Sequence, residues 1–560
     1  MILLQRRLLR ALDYWVKKQM DNGNLFDENR GKPCPSDQYA STFFSMACLK
    51  AYRITGNRSY REAAKKSMEY FFNAAEEKRG HAEFNALALA CIQNDPFVRK
   101  WFGPELDRFF GRLSLETDKN RNVSNNWLAI KLVFYALMRK SGGHAHKARA
   151  GVLLEKILAL QLPDGLFVDY PLRPKNGFAT PLAYHAVFIL MLSWYGMLTG
   201  DGRAIKAAQR GVDALYDIMD YDGQCLFYGR SFDSIFGYSC LYSALCMLLK
   251  MKGGRKVAGM HARICKLLVG MQMPEGCFAI NLLQDGVSGR RGWDTYMNFA
   301  TYNCFSMALL LEFGTDPGHM GLLQEGCTEL KESGLFVVRK RDFFVALSTG
   351  GQFAEGQSYF FTDTRYWGMQ VLVKRVGNKK TSGYRKIRLD TTRHAHDPSF
   401  SSVLYSRKTG NRHFCVPVYG SVEVSRRGTK IKIQAAGKLR VLATRRKTDI
   451  IRVLHWLSYR KSRLLRLSRP YAEIRSTIEI DTDNNGLVSY TAISSPQSDA
   501  VNWKYSTSSA SQPAERSSSS ASLSAPRRRP ECLPTTLWSG LPSGASAKAM
   551  TSEKKGTRKL

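Results

Sequence analysis

Apolar residues recur at helical spacing through the first 330 residues of the chain. Amphipathic stretches such as AKKSMEYFFNAA, ARAGVLLEKILALQL and AIKAAQRGVDALYDIM alternate with more apolar ones such as YASTFFSMACLKAYRI and CLYSALCMLLKM. The first kind predicts helices with one face in water, and the second predicts helices surrounded by protein. The pattern therefore indicates pairs of helices, each pair with an outer and an inner member.

One kind of turn repeats between these helices, in which a glycine is followed by aromatic or acidic residues. It occurs as MDNGNLFDEN, LPDGLFVDYP, DYDGQCLFYGR and MPEGCFAINL, and related loops lie near residues 78–80 and 118–126. A period of about 40 to 60 residues predicts stacked helical hairpins in a solenoid or a closed ring. Six hairpins suit an (α/α)6 toroid, in which each turn glycine adopts a positive φ.

After residue 330 the pattern changes to alternation of apolar and polar positions, as in GLFVVRKRDFFVALSTGG and TKIKIQAAGKLRVLATRR. Such alternation predicts strands, with a hairpin at residues 484–486, and an antiparallel β-sandwich as the fold class. From about Ser498 the chain is rich in Ser, Ala, Pro and Arg without periodicity, which predicts disorder. The expected organisation is a toroid over 1–330, a basic sandwich over 331–500 and a disordered tail over 501–560.

The positive charge is concentrated in the predicted strands. Of the formal net charge of +36, residues 331–470 carry +23, from 31 basic and 8 acidic residues. A field of this strength attracts nucleic acid, an anionic membrane or an acidic polysaccharide. Because the basic strands lack the aromatic and glycine pattern of RNA-recognition sheets, and no zinc finger or helix-turn-helix motif stands out, we expect an anionic glycan as the partner and no nucleic acid.

Several other classes of protein are disfavoured because the sequence lacks their characteristic motifs or segments. The twelve cysteines are scattered without a CxxC pair, which indicates buried free thiols in a reducing compartment. The first twenty residues mix Arg and Lys with Leu, so we expect a helix of the mature fold, no signal peptide and a cytoplasmic protein. No apolar stretch is long enough to predict a membrane span. With no P-loop, Rossmann fingerprint or GxSxG elbow, we expect no cofactor.

Tyrosines open the predicted inner helices. They follow the turn glycines by 15 to 26 positions and are Tyr39, Tyr184, Tyr238, Tyr242, Tyr296 and Tyr302. Hairpins arranged in a ring would bring these side chains to one mouth, where aromatic rings can stack on sugars. The alternative for each tyrosine is that it caps a core helix.

Three local patterns accompany this architecture: NNWLAIKLVFYAL, DGLFVDYP followed by AYHAVFILML, and YGRSFDSIFGYSCLYSAL. Together with a helical ring followed by an antiparallel sheet, they resemble the heparinase II/III-like polysaccharide lyases and related (α/α)6-toroid enzymes that process uronates. The resemblance covers roughly residues 1–500. It implies cleavage of an acidic polysaccharide or oligosaccharide by β-elimination.

The resemblance also implies roles for individual residues. The C5 carboxylate of the uronate would be held by Asn125 or Asn126 and by Arg230. His185 is the expected base, and Tyr184, Tyr238 or Tyr242 the expected acid. Two structural alternatives stand beside these roles: a core histidine for His185, and an ion pair of Arg230 with Asp233. The expected substrate-binding residues are Asn125, Tyr184, Asp169, Tyr170, Tyr228, Trp293, Asp294, Tyr296 and Tyr302.

Two other functions stay open at this point. A glycoside hydrolase would use two carboxylates, for which Asp169, Asp233 and Asp294 are the candidates, although each acid could instead cap a helix. A non-catalytic protein that binds an anionic glycan or assists capsule assembly would also explain the basic sheet and the aromatic mouth.

Histidines in the strand region are candidate metal ligands or candidate mouth residues. His394 and His396 with Asp397 have the spacing of a partial site, but no third ligand has an identifiable position, so we expect no metal. His413 and His455 are candidates to reach the toroid mouth from the sandwich.

Overall fold

A computed structural model describes residues 3–74, 80–113, 124–170, 178–251, 253–282, 284, 299–315, 321, 323–340, 343–348, 370–375, 387–389, 403–405, 412–442, 467–481, 486–495 and 498–507. Within these residues, α-helices occupy the first part of the chain and β-strands the second. The helices are α1 (Leu3–Lys17), α2 (Ala40–Thr55), α3 (Arg58–Asn73), α4 (Ala82–Ile92), α5 (Pro96–Arg112), α6 (Asn126–Leu137), α7 (Arg139–Leu158), α8 (Leu182–Thr199), α9 (Gly202–Ile218), α10 (Ile235–Lys250), α11 (Arg255–Gly270) and α12 (Phe299–Phe313).

The even-numbered helices form an inner ring. They contact one another in the order α2, α4, α6, α8, α10 and α12, and α12 contacts α2. Each later odd-numbered helix packs outside the inner helix that precedes it, and α1 packs against α12. Over the described residues this is a closed ring of six helical hairpins, so the predicted (α/α)6 arrangement of the helical part is confirmed.

Inner and outer helices differ in how much of their surface is covered. Helix α8 is buried continuously from Leu182 to Gly196, whereas α9 buries one stripe that includes Ala204, Ala208 and Leu215. Among the described helices, α8 is also the one long and apolar enough to cross a membrane by composition. Its place in the inner ring accounts for that composition, because a helix covered on all sides is apolar all round.

The repeated turns are glycine turns with a positive φ, as the sequence predicts. The φ angles are +87° at Gly23, +97° at Gly165, +92° at Gly223 and +115° at Gly276. Each turn also presses on a neighbouring outer helix, so a Cβ at Gly165 would lie 2.6 Å from the carbonyl oxygen of Arg210 on α9. Glycine is therefore required both by the backbone angle and by the lack of space.

A glutamine four residues before the glycine fixes three of these turns to the neighbouring outer helix. Nε2 of Gln161 donates to the carbonyls of Gly165 and Ala207, at 2.9 Å in each case. The same two bonds are made by Gln19 with Gly23 and Ala63, and by Gln272 with Gly276 and Arg7. The pattern Gln-x-x-x-Gly thus marks a loop that docks on the next hairpin.

The strands form antiparallel sheets. A small pair joins β1 (Phe26–Asp27) and β2 (Lys32–Pro33) within the loop before α2. One larger sheet contains, in order, β3 (Gly326–Leu330), β4 (Leu335–Lys340), β5 (Phe343–Ser348), β6 (Gln370–Arg375) and β7 (Ile387–Leu389). The other runs, in the reverse of chain order, through β13 (Ser498–Thr507), β12 (Gly486–Ser495), β11 (Leu467–Asp481), β10 (Lys430–Leu442), β9 (Arg412–Arg427) and β8 (Val403–Tyr405).

Strands β4 and β5 bury both faces. Val337 and Phe344 belong to the core of the helical ring, whereas Phe336 and Val345 pack with Ile433 of β10. This alternation follows from the two-residue period of a strand. A sandwich over residues 331–500 stays a prediction, as do the domain boundaries, because much of this region lies outside the described residues.

Two details concern the predicted hairpin and tail. The register of β11 and β12 pairs Asp481 with Gly486, while residues 484 and 485 of the predicted hairpin turn lie outside the described residues. Strand β13 continues to Thr507, past the predicted boundary at 500. The rest of the predicted disordered tail lies outside the described residues.

Replacing Gly165 with Ala is expected to lower the free energy of unfolding by about 2 kcal/mol or more, because the new Cβ meets both the positive φ and the Arg210 carbonyl. The matched control is Gly151→Ala in α7, where a Cβ would meet no atom within 4 Å and the free energy should rise by up to about 1 kcal/mol. Urea unfolding measures both. Equal effects of the two substitutions would contradict the docking role of the turn.

Candidate functional site

The loops lie at the end of the ring where the inner helices begin, which we call the mouth. Four of these loops, those before α2, α8, α10 and α12, bond to the start of an inner helix of another hairpin. Oδ1 of Asp169, in the loop before α8, accepts from the backbone N–H of Asn126 at 3.1 Å, and Oδ2 of Asp27 accepts from that of Ala300 at 3.1 Å. The first N–H groups of a helix have no partner inside the helix, so these carboxylates act as distant caps.

Asp169 is the centre of a buried polar cluster. Its Oδ1 also accepts from Nδ2 of Asn126 at 2.7 Å, and its Oδ2 accepts from the hydroxyl of Ser124 at 3.0 Å. Nη2 of Arg230 lies 3.6 Å from the same Oδ2 and donates to Oγ of Ser124 at 2.8 Å. The cluster joins the start of α6, the loop before α8 and the loop before α10.

Arg230 also faces an aromatic ring. Its guanidinium carbon lies 4.2 Å from the ring centroid of Tyr184 near the start of α8, which is a cation–π contact. Oγ of Ser231 donates to the hydroxyl of Tyr184 at 3.1 Å and lies 3.2 Å from that of Tyr302 on α12. Arg230, Tyr184 and Tyr302, predicted from separate parts of the sequence, are therefore brought together at the mouth.

Backbone strain is concentrated at the mouth. Among the described residues, the non-glycine positions with a positive φ are His81 at +48°, Ser231 at +59° and Asp233 at +48°. His81 precedes α4, and the other two precede α10. Such angles cost on the order of 1 to 3 kcal/mol and collect at functional sites. Ser231, which connects the two tyrosine hydroxyls, is one of them.

His185 lies in the core and not at the mouth surface. It is 0% exposed, its Nδ1 accepts from the N–H of Phe167 at 3.2 Å, and its Nε2 lies 3.1 Å from the carbonyl oxygen of Gly211. Because a carbonyl only accepts, Nε2 carries the proton and both ring nitrogens are in use. Burial lowers the pKa of His185 to about 4. These surroundings are those of the core-histidine alternative, and the role of His185 as base stays a prediction.

Tyr238 and Asp233 stabilise the loop before α10. The Tyr238 hydroxyl donates to Oδ1 of Asp233 at 2.8 Å and accepts from the N–H of Cys225 at 3.2 Å. Gln224 donates to the other oxygen of Asp233. Burial raises the pKa of Tyr238 well above its usual range. Both side chains are buried and hold this loop, and their expected catalytic roles stay predictions. The described ion pair of Arg230 is with Asp169, whereas the structural alternative in the sequence analysis names Asp233.

Three other predicted tyrosines have separate surroundings. The Tyr242 hydroxyl donates to the carbonyl of Thr315, past the end of α12 and away from the mouth, and its expected role as the acid stays a prediction. The Tyr228 hydroxyl accepts from Ser348 of β5, which places it against the sheet. Tyr170 pairs through its backbone with Ala179, and burial raises its pKa.

The two predicted asparagines connect the loop before α8 to α6. Nδ2 of Asn125 donates to the carbonyl of Val168 at 3.1 Å, and Nδ2 of Asn126 donates to Asp169. Oδ1 of Asn126 is buried and accepts from none of the described residues. Both side chains are at most 4% exposed. Their observed contacts hold the loop before α8 against α6, and the roles expected for them toward the sugar stay predictions.

Some candidates lie outside the described residues: Trp293, Asp294, Tyr296, His394, His396, Asp397 and His455. For His413 the structure describes only its place in β9. Within the described part of the chain, no three metal-binding side chains form a group that could hold an ion. The ten cysteines whose side chains the structure describes are free, and most are buried.

His81 is a mouth residue that the sequence pattern does not single out. It stands directly before α4, in the loop EEKRGHAEFN, and its ring contacts those of Tyr39 and Trp127. The feature of the sequence that could identify His81 is its position relative to the loop and the helix that follows. Aligning the ends of the six loops places His81 at the start of an inner helix, where Tyr39 and Asn125 also stand.

Comparison with known proteins finds similarity of structure. No family model and no curated protein matches the chain. A possible member of the GH105 family from Salmonella enterica aligns at 13% identity and a TM-score of 0.41, over 55% of this chain and 93% of that one. An α-1,6-mannanase from Salegentibacter aligns at 11% identity and a TM-score of 0.43, over 55% of this chain and 99% of that one. A polysaccharide lyase aligns at 10% identity and a TM-score of 0.39, over 55% and 96%.

The buried state of His185 predicts a pH dependence of stability. Since its pKa falls from about 6.5 unfolded to about 4 folded, the stability it contributes is complete above pH 6.5 and is lost as the pH falls toward 4. Between pH 7.5 and pH 5 the loss is about 2 kcal/mol. In His185→Gln the change in the free energy of urea unfolding over this range should be smaller by that amount. An unchanged pH dependence would contradict the neutral, buried histidine.

Proposed function

We propose that this chain is a carbohydrate-active enzyme that cleaves an acidic, uronate-containing polysaccharide or oligosaccharide by β-elimination. The observation that supports it most is the cluster of Arg230, Tyr184, Ser231 and Tyr302 at the mouth of the ring. These residues combine a cation, two phenolic hydroxyls and aromatic surface. Carboxylate recognition, proton transfer and sugar stacking need those groups.

β-Elimination requires three things of a site. The C5 carboxylate must be neutralised, the C5 proton removed, and the departing O4 oxygen protonated. A guanidinium carries five N–H donors in a plane that matches a carboxylate, which suits Arg230 to the first task. Asp169 and Ser124 fix its orientation. Tyr184 or Tyr302 would donate the proton to O4, with Ser231 holding the two hydroxyls in place.

The contacts of the carboxylates favour elimination over hydrolysis. A glycoside hydrolase needs two acidic groups that reach the sugar from either side. Both oxygens of Asp169 and both of Asp233 accept hydrogen bonds from protein groups. These hydrogen bonds hold the loops before α8 and α10 in place. A hydrolytic reaction would need acidic groups other than these two.

Ultraviolet absorbance tests the proposed reaction. The protein is incubated with heparan sulfate, chondroitin, hyaluronan and alginate, and new reducing ends are assayed in parallel. Elimination leaves a C4=C5 double bond, so we expect absorbance and reducing ends to rise together on at least one polymer. Reducing ends without absorbance would indicate hydrolysis. No change in either signal, with binding detected by calorimetry, would indicate a glycan-binding protein, and both outcomes would contradict the proposal.

Replacing Arg230 with Lys tests its role in the same assay. Lysine keeps the positive charge beside Asp169 but loses the planar pair of donors, so kcat/KM for elimination should fall about 100-fold with the fold retained. The control is Arg263→Lys, at another buried arginine, on the outer helix α11. It should leave kcat/KM within about threefold. Equal effects of the two substitutions on kcat/KM would contradict a role for Arg230 in binding the substrate carboxylate.

A further inference from the structure

Arg30 is a second arginine at the mouth, and one of its donor groups has no acceptor among the described residues. It lies in the turn between β1 and β2, in the loop before α2, and is partly exposed. Its Nη1 is covered by protein and donates to none of the described residues. Buried donors without an acceptor are rare, and each one calls for a water molecule, an ion or a ligand group.

Asp27 fixes this turn to the start of α12. Its Oδ1 accepts from the backbone N–H of Arg30 at 3.2 Å, and its Oδ2 accepts from that of Ala300 at 3.1 Å. Burial raises the pKa of Asp27, and the charge of Arg30 acts in the opposite direction, so the carboxylate and the guanidinium are electrostatic neighbours. The arrangement repeats that of Asp169 and Arg230, where a carboxylate that caps an inner helix also lies beside an arginine.

The first turn of α12 connects the loops of the two arginines. Its Ala300 bonds to Asp27, in the loop of Arg30. The hydroxyl of its Tyr302 lies 3.2 Å from Oγ of Ser231, the residue that follows Arg230. Both arginines therefore border the same opening of the ring, and a chain of acidic sugars bound at one of them extends across the mouth toward the other.

We propose that Arg30 binds a second acidic group of the substrate chain, while Arg230 binds the carboxylate of the sugar that is cleaved. The proposal rests on the proposed function. A guanidinium presents a planar set of donors that matches a carboxylate or a sulfate, and an acidic polysaccharide supplies further groups of this kind along the same chain. Because Arg30 takes part in no bond making, its contribution is to the affinity for long substrates.

The test compares Arg30→Gln with Lys32→Gln on a uronate polymer that the wild type cleaves. Both substitutions remove one positive charge from the same hairpin, but Lys32 is exposed on β2. We expect KM to rise about tenfold or more in Arg30→Gln, with kcat changed less than about threefold, because a charged hydrogen bond to the bound chain is lost. Lys32→Gln should keep KM within about twofold. Arg30→Lys, which retains the charge, should recover part of the affinity.

Substrate length gives a second readout that a purely structural role of Arg30 would not change. The rise in KM in Arg30→Gln should be larger for the polymer than for the shortest oligosaccharide that the wild type cleaves, because the short chain carries fewer acidic groups. An equal rise for both substrates would indicate a general disturbance of the mouth and would overturn the proposal.

The remaining outcomes separate this proposal from the proposed function. An unchanged KM in Arg30→Gln would overturn it and would make a water molecule the partner of Nη1. Equal rises in Arg30→Gln and Lys32→Gln would also overturn it, since they would indicate long-range attraction alone. If the wild type binds the polymer without cleaving it, the proposed reaction fails, and the Kd from calorimetry replaces KM in the same comparison. If the wild type neither cleaves nor binds any of the polymers, both proposals fail.

Discussion

The arrangement of the mouth depends on the unpaired N–H groups at the start of each buried inner helix. Such groups must find partners, and in this ring the partners come from the loop of a neighbouring hairpin. Asp27 accepts a hydrogen bond from the start of α12, and Asp169 accepts one from the start of α6. The carbonyls of Tyr228 and Ile280 accept from the starts of α8 and α10. Since each of these four loops caps the inner helix that precedes its own in the ring, they hold neighbouring hairpins in register, and the bond from Asp27 to α12 joins the first hairpin to the last.

The candidate site follows from this capping. Asp169 is held over the start of α6 by its bonds to Asn126, and its second oxygen then fixes Ser124 and Arg230. Arg230 in turn lies on the Tyr184 ring. A carboxylate with a structural task therefore orients the cation to which the proposed function assigns substrate binding. The neighbouring Ser231, with its positive φ, bonds through Oγ to the hydroxyls of Tyr184 and Tyr302. Such contacts can maintain a strained backbone conformation.

The sequence predicts the helical ring well because the signals for it are local and repeated. Helical periodicity gives the hairpins, and the turn glycines give the positive φ angles. The site is harder to predict, because a residue type does not reveal its partners. His185 has the chemistry of a base but lies on a helix that is covered on every side. The Tyr238 hydroxyl donates its proton to a hydrogen bond with Asp233. The contact of His81 with the carbonyl of Asp37 joins residues 44 positions apart, which no local sequence pattern indicates.

The most direct test of the account is the structure of the protein with a uronate tetrasaccharide bound, since it measures which side chain receives the sugar carboxylate. We expect a carboxylate within hydrogen-bond distance of the Arg230 guanidinium, with the sugar against Tyr184 and the start of α6. An oligosaccharide bound along the basic strands, with Arg230 still covered by protein groups, would contradict the account and would make the ring a support for a binding surface elsewhere.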